Sequence, residues 1–239
     1  MSKNIYDIPI NSWDGQENIL EKYKGKVTLI TNVITDCGNA PEYGILQDIY
    51  EKYRDQGFEI LAVPTNEYCG EFIVYDEFVD GINCALDAKK FAEETYNVTY
   101  NFSELVKSNP GVVEDRVSEI LYPSRPNEFP RQLPEGESPH ELFKTLCCDT
   151  SPEDPNKGKM LGNFEKFLID REGNFFSRHH NGSLMPRYDE NEYADKYGIA
   201  LNNRRTHDHV ERSEVSDDHF SGVKNYEKLC RDIEQLLNN

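Results

Sequence analysis

Two apolar, β-branched runs stand out along the chain, Val27 through Val33 and Phe58 through Val63. Between them apolar residues recur at helical spacing, at Tyr43, Leu46, Ile49, Tyr50 and Tyr53, behind Pro41 at a first helical position and Glu42 in the first turn. Strand, helix and strand in this spacing predict a right-handed βαβ unit with parallel strands, the second ending at Pro64. Further on, Asn163 to Asp170 runs through Arg171-Glu172-Gly173-Asn174 into Phe175-Phe176-Ser177, a hairpin pattern with glycine in the turn. The chain closes on a helix with apolar positions Tyr226, Leu229, Cys230, Ile233, Leu236 and Leu237.

A βαβ unit, a later hairpin and a closing helix together predict an α/β chain of the thioredoxin fold, a central mixed sheet flanked by helices. The first strand delivers Thr35-Asp36-Cys37-Gly38 into the start of the helix. A thiol just ahead of a helix N-terminus meets unpaired N–H groups and the positive end of the dipole, which favour the reactive thiolate. A buried structural cysteine after a strand is the other reading of the same residue. The two parallel strands end at one edge, so the Cys37 turn and the loop from Pro64 to Gly70 are expected to meet where open α/β sheets carry their chemistry.

At this point the chain resembles the glutathione peroxidase family. Gly25 to Val33 is similar to that family's opening strand, and Cys37-Gly38 falls where the family has its peroxidatic selenocysteine or cysteine. Pro64-Thr65-Asn66-Glu67-Tyr68 resembles Pro-Cys-Asn-Gln-Phe, and Asn163 to Asp170 resembles the end of Trp-Asn-Phe-Glu-Lys-Phe-Leu-Val-Asp. The resemblance implies a thiolate that attacks the O–O bond of a peroxide, becomes a sulfenic acid and is returned to thiol by a second thiol. It also implies a glutamine, a tryptophan and an asparagine around the sulfur. Here those positions carry Glu67, Gly162 and Asn163, with Asn66 beside them and Asp36 before the cysteine. A carboxylate about 4 Å from the sulfur disfavours the thiolate by about 4 kcal/mol, or about 3 pKa units. Glu67 is therefore expected either to be protonated and donate to the leaving oxygen or to hold peroxide chemistry back.

Relatives that use a protein thiol carry a resolving cysteine in Phe-Ala-Cys-Thr. Here Phe91-Ala92 is followed by Glu93-Glu94, so Cys69, ahead of Cys84, is a possible substitute for the resolving residue, a simple structural role being the other reading of Cys69. Cys147-Cys148 reads as two half-buried thiols in a helix from about His140, and Cys230 as core. Six cysteines without a secretory leader point to free thiols in a reducing, cytoplasmic setting. The N-terminus from Met1 to Ile8 lacks a basic region and an apolar core, and reads as the family's first strand.

A net charge of -18 argues against nucleic acid and anionic membrane surfaces as partners. A mean hydropathy of -0.75, with no long apolar run, argues against a membrane span. The same charge makes anionic glutathione a less natural reductant than a neutral or basic thiol such as a thioredoxin-like protein. The whole chain, 1–239, is expected to form one domain enlarged by insertions at about 115–160 and 178–222. The first is proline-rich with one short helix. The second holds His179, His180, His207, His209 and His219, whose spacing matches no zinc pattern, so surface histidines, no metal and no cofactor are expected. At least one insertion is expected to shape the Cys37 pocket or the interface of a homo-oligomer. The functional expectation is a thiol peroxidase acting through Cys37; a redox sensor, or a thiol enzyme with another substrate on the same fold, remains open.

Overall fold

A computed structural model describes residues 4–35, 37–65, 85–108, 138–148, 157–158, 160, 162–201 and 221–239. Its centre is a mixed sheet in the order β3-β2-β1-β4-β5. β1 is Val27–Val33, β2 Phe58–Pro64, β3 Asn101–Phe102, β4 Lys166–Ile169 and β5 Phe175–His179. β1 pairs in parallel with β2, from Val27 on Phe58 to Val33 on Pro64, and antiparallel with β4, Thr28 on Ile169 to Thr31 on Lys166. Being central, β1 is buried along its whole length, and that is why its apolar residues fall on both faces rather than on alternate positions.

The helices are α1 Glu42–Tyr53, α2 Ala85–Tyr96, α3 Glu141–Cys148, α4 Asn191–Lys196 and α5 Gly222–Leu237. Alternate residues of β1 feed two cores, Val27 and Leu29 on one face and Ile30 on the other. The first core takes Tyr43, Leu46 and Ile49 of α1, Ala88 and Ala92 of α2, and Leu229, Cys230 and Ile233 of α5. The second takes Leu142, Phe143, Leu146 and Cys147 of α3 and Ile5, Tyr6, Ile8 and Ile10 of the N-terminal segment. α1 leads through a short 3-10 turn into Gly57 at φ +92°, a left-handed turn that only glycine adopts freely and that reverses the chain into β2. The β4–β5 turn relies on Gly173 at φ +85°, where an added Cβ would run into the Asn4 side chain.

Four details differ from expectation. The N-terminal segment is a 3-10 turn at Ile5–Asp7, not a strand. The Asn4 side chain caps the turn by accepting from Tyr6 N–H, and the Tyr6 hydroxyl is held by the Lys26 carbonyl at 2.5 Å and the Asp170 carbonyl at 2.9 Å, so it plugs the end of the sheet. Cys147 is buried and Cys148 exposed, since adjacent helical residues point about 100° apart. Pro41 stands one residue before α1, at its N-cap. Residues 180–201 are not a polar loop: Leu184, Met185, Ala194 and Ile199 belong to the first core.

His179 is likewise no surface histidine. It ends β5, is buried, and its Nε2 lies 3.1 Å from Asp232 Oδ2 of α5. Burial pushes its pKa down to about 4, with the Asp232 hydrogen bond opposing, so at neutral pH a neutral imidazole donates to the carboxylate. The unfolded chain, with an ordinary histidine near 6.5, then binds the extra proton, and the stability contributed by neutral His179 is lost as pH falls from about 6.5 toward 4. Urea unfolding at pH 5 and pH 7 measures this. The stability difference between the two pH values is expected to shrink in His179→Gln by about 1 to 2 kcal/mol.

Candidate active site

Cys37 lies in the turn between β1 and α1, half-buried against the first core, and carries a thiol. The turn is closed by Ala40 N–H donating to the Cys37 carbonyl at 2.9 Å, and Asn39 N–H donates to Cys37 Sγ at 3.4 Å. One of the unpaired amides ahead of the helix therefore points at the sulfur, as the sequence reading required. Thr65 follows the end of β2, with its N–H on the Val33 carbonyl at 3.0 Å, so the chain leaves β2 beside the exit from β1. Asp36, Asn66, Glu67, Cys69 and Cys84 lie outside the described residues, as do His207, His209 and His219. Among the described residues no three His, Cys, Asp or Glu side chains cluster as a metal site.

Asn163 arrives from the other direction. Antiparallel pairing of Thr31 with Lys166 brings the start of β4 to the C-terminal end of β1, so residues 162–165 and the Cys37 turn share one edge. Asn32 fixes that segment. Its carbonyl accepts from Phe164 N–H at 2.7 Å, its Oδ1 from Glu165 N–H at 2.9 Å, and its Nδ2 donates to the Gly162 carbonyl at 2.9 Å. Phe164 is in the left-handed region, φ +61°, which for a bulky side chain costs on the order of 1–3 kcal/mol unless its surroundings impose it. The kink keeps Asn163 buried and turns the Phe164 ring edge-on to Tyr43 at a centroid distance of 5.0 Å.

On its other side the kink is held by Lys166, whose Nζ donates to the Phe164 carbonyl and to Glu42 Oε2, both at 2.6 Å. Glu42 opens α1, and its Oε1 accepts from Leu184 N–H at 2.7 Å. Both charged side chains are wholly buried, 0% exposed. Neighbouring Glu165 is a second buried anion, held by Arg178 Nε at 2.8 Å and Asn181 N–H at 3.3 Å. Asn32, Glu42 and Lys166 escaped the sequence reading as site residues; the one available signal was a polar asparagine inside an otherwise apolar central strand.

Gly162 has its own neighbour. A Cβ built there would stand 2.6 Å from Asn181 Nδ2, so the Asn181 side chain takes up space that any larger residue at 162 would need. The segment after β5 thus reaches the site through Asn181 and Leu184. Tyr43 of α1 is fully buried in the first core, and its hydroxyl meets no hydrogen-bond partner among the described residues. Burial pushes its phenol well above the ordinary value, with Tyr100 and then Cys37 adding to the shift.

A parallel βαβ unit, an antiparallel hairpin and a thiol at the strand-to-helix turn define a thioredoxin-like thiol protein. The crystal structure of Trgpx in apo form shares the fold with a TM-score of 0.50 at 20% identity, over 86% of this chain and 99% of that one. The family model for glutathione peroxidase matches residues 5–121. Glutathione peroxidase homolog BsaA of Staphylococcus epidermidis is 31% identical over 176 residues, covering 74% of this chain and 88% of that protein. The hydroperoxy fatty acid reductase gpx1 of Synechocystis sp. is 29% identical over 182 residues, covering 74% and 87%. The chain belongs to the glutathione peroxidase family.

The buried pair ties the Cys37 helix to the Asn163 kink, and removing one partner strands the other charge in the core. Lys166→Met is expected to destabilise the protein by about 3–5 kcal/mol in urea unfolding. Adding Glu42→Gln to that variant is expected to recover most of the loss; additive losses would show that the two side chains do not act as a pair.

Proposed function

We propose that this protein is a thiol peroxidase that reduces hydrogen peroxide or an organic hydroperoxide through Cys37. Family membership together with a half-buried thiol that accepts a backbone N–H at a helix start carries the reading. In the first step the Cys37 thiolate attacks one oxygen of the hydroperoxide. An S–O bond forms, the O–O bond breaks, sulfur is oxidised to the sulfenic acid, and the departing oxygen takes a proton and leaves as water or an alcohol. Two thiol equivalents then return the sulfenic acid to thiol, releasing water and a disulfide. In this reading Asn163, buried at the same edge as the Cys37 turn, is the hydrogen-bond donor to the reacting oxygen.

The reductant is a second thiol. α2 carries Phe91-Ala92-Glu93-Glu94 and no cysteine, so an internal resolving step falls to Cys69, and otherwise the thiol comes from a thioredoxin-like protein or a small thiol. The name of the Synechocystis relative supports a fatty acyl hydroperoxide as one substrate to try. A specific observation favours a second reading, a redox sensor with slow turnover: Asn181 stands against Gly162, where the family has tryptophan, and the family's glutamine is Glu67.

Mass spectrometry of Cys37 after one equivalent of peroxide, followed by turnover with thioredoxin or glutathione, tests these readings. The peroxidase reading predicts one added oxygen on Cys37, sustained turnover, and complete loss of both in a folded Cys37→Ser variant. Oxidation without turnover supports the sensor, and an inert Cys37 overturns both. Glu67→Gln is expected to lower the Cys37 pKa and speed its oxidation at neutral pH, because it removes a carboxylate where the family has a neutral amide.

A further inference from the structure

Gly38 is a glycine that the fold does not ask for. Most of the described glycines take a positive φ, which an L side chain rarely adopts. Of the others, Gly44 packs against Tyr96, and a Cβ on Gly162 or Gly222 would stand 2.6 Å from the Asn181 amide or the Met185 carbonyl. Gly38 alone among the described glycines has neither a positive φ nor any atom within 4 Å of where a Cβ would stand. Its backbone would accept alanine without strain, and glycine in its place leaves the unfolded chain more freedom to lose.

The open flank of Gly38 is also next to the sulfur. Asn39 N–H donates to Cys37 Sγ at 3.4 Å, and the Gly38 Cα is about 2.4 Å from that nitrogen along the chain, so it lies no farther than about 6 Å from Sγ. Exposed Gly38 therefore borders the half-buried thiol. Clearance there suits an incoming main chain. A hydroperoxide or a small thiol presents its reacting atom on a flexible stem, whereas a cysteine of a folded protein brings its backbone with it. In a disulfide the two Cα atoms stand about 4.4–6.8 Å apart, little more than the spacing of neighbouring strands. At that range a side chain at 38 competes with the incoming backbone for the same space. The net charge of -18 also weighs against an anionic small thiol.

We propose that Gly38 is a specificity-determining residue, its bare Cα admitting the main chain of a dithiol protein to Cys37 during reduction. The inference rests on the peroxidase reading. The partner's thiolate attacks the sulfur of the Cys37 sulfenic acid: an S–S bond forms, the S–O bond breaks, and the oxygen leaves as hydroxide and takes a proton from solvent to become water. A second thiol of the partner then attacks the partner's own sulfur in the mixed disulfide, which releases Cys37 as thiolate and leaves the partner oxidised.

Gly38→Leu fills the open space, and Gly38→Ala adds a single methyl. Cys37 is oxidised with one equivalent of hydrogen peroxide, and reduction of the sulfenic acid is then timed with reduced thioredoxin and, separately, with mercaptoethanol, a small neutral thiol. Gly38→Leu is expected to slow reduction by thioredoxin about tenfold or more, and Gly38→Ala by less, while oxidation by peroxide and reduction by mercaptoethanol keep their wild-type rates. Gly38→Ala is expected to be at least as resistant to urea as the wild type. Equal thioredoxin rates in all three proteins overturn the proposal, and so does equal slowing with both thiols, which would make residue 38 a matter of general access to the sulfur. A destabilised Gly38→Ala overturns it because the glycine would then serve the fold. A wild-type sulfenic acid that mercaptoethanol reduces and thioredoxin does not, or a Cys37–Cys69 disulfide formed ahead of any reductant, overturns it as well. A wild-type Cys37 that peroxide does not oxidise would instead sink the peroxidase reading, and this proposal with it.

Discussion

The left-handed kink at Phe164 is the constraint on which the rest of the site depends. A phenylalanine at φ +61° stays there only if its backbone is held from both sides, and here Asn32 takes its N–H while Lys166 takes its carbonyl. Because Asn32 belongs to β1, the strand that leads to Cys37 also positions the segment carrying Asn163. Because Lys166 is paired with Glu42, the first turn of the helix behind Cys37 is locked to the same point. Thiol and asparagine are thus indexed to one strand rather than to separate loops.

Burying charge and amide here costs desolvation, which a purely apolar packing would avoid. The compensation is directional: Glu42 is met by Lys166 and Leu184 N–H, and Glu165 by Arg178 and Asn181 N–H. A fully met polar network admits few alternative arrangements, whereas apolar side chains repack freely.

Much of the fold was legible because its signals are local. Runs rich in apolar and β-branched residues marked β1 and β2, helical spacing marked α1 and α5, and glycine in a polar turn marked the β4–β5 hairpin. The N-terminal segment misled because Ile5, Tyr6, Ile8 and Ile10 have the composition of a strand while a 3-10 turn buries them just as well. Cys37 and Asn163 could be picked out as residues, but not the clamp between their segments: Asn32 and Gly162 are far apart in sequence, and nothing near Lys166 announces that its partner is Glu42. His179 looked like one of a polar histidine-rich stretch because its burial depends on Asp232, across the sheet on α5. Residues 180–201 looked like an insertion loop because their apolar positions are sparse, although Leu184 and Met185 are core.

The central claim is that Asn32 holds the Asn163 segment in place, independently of the stability of the sheet as a whole. Amide hydrogen exchange in Asn32→Ala tests it most directly. The expected result is exchange at Phe164 and Glu165 faster by about tenfold or more, with Leu29 and Leu61 in the β1–β2 ladder as protected as in the wild type. Unchanged protection at Phe164 and Glu165, or loss spread evenly over the sheet, would contradict the account.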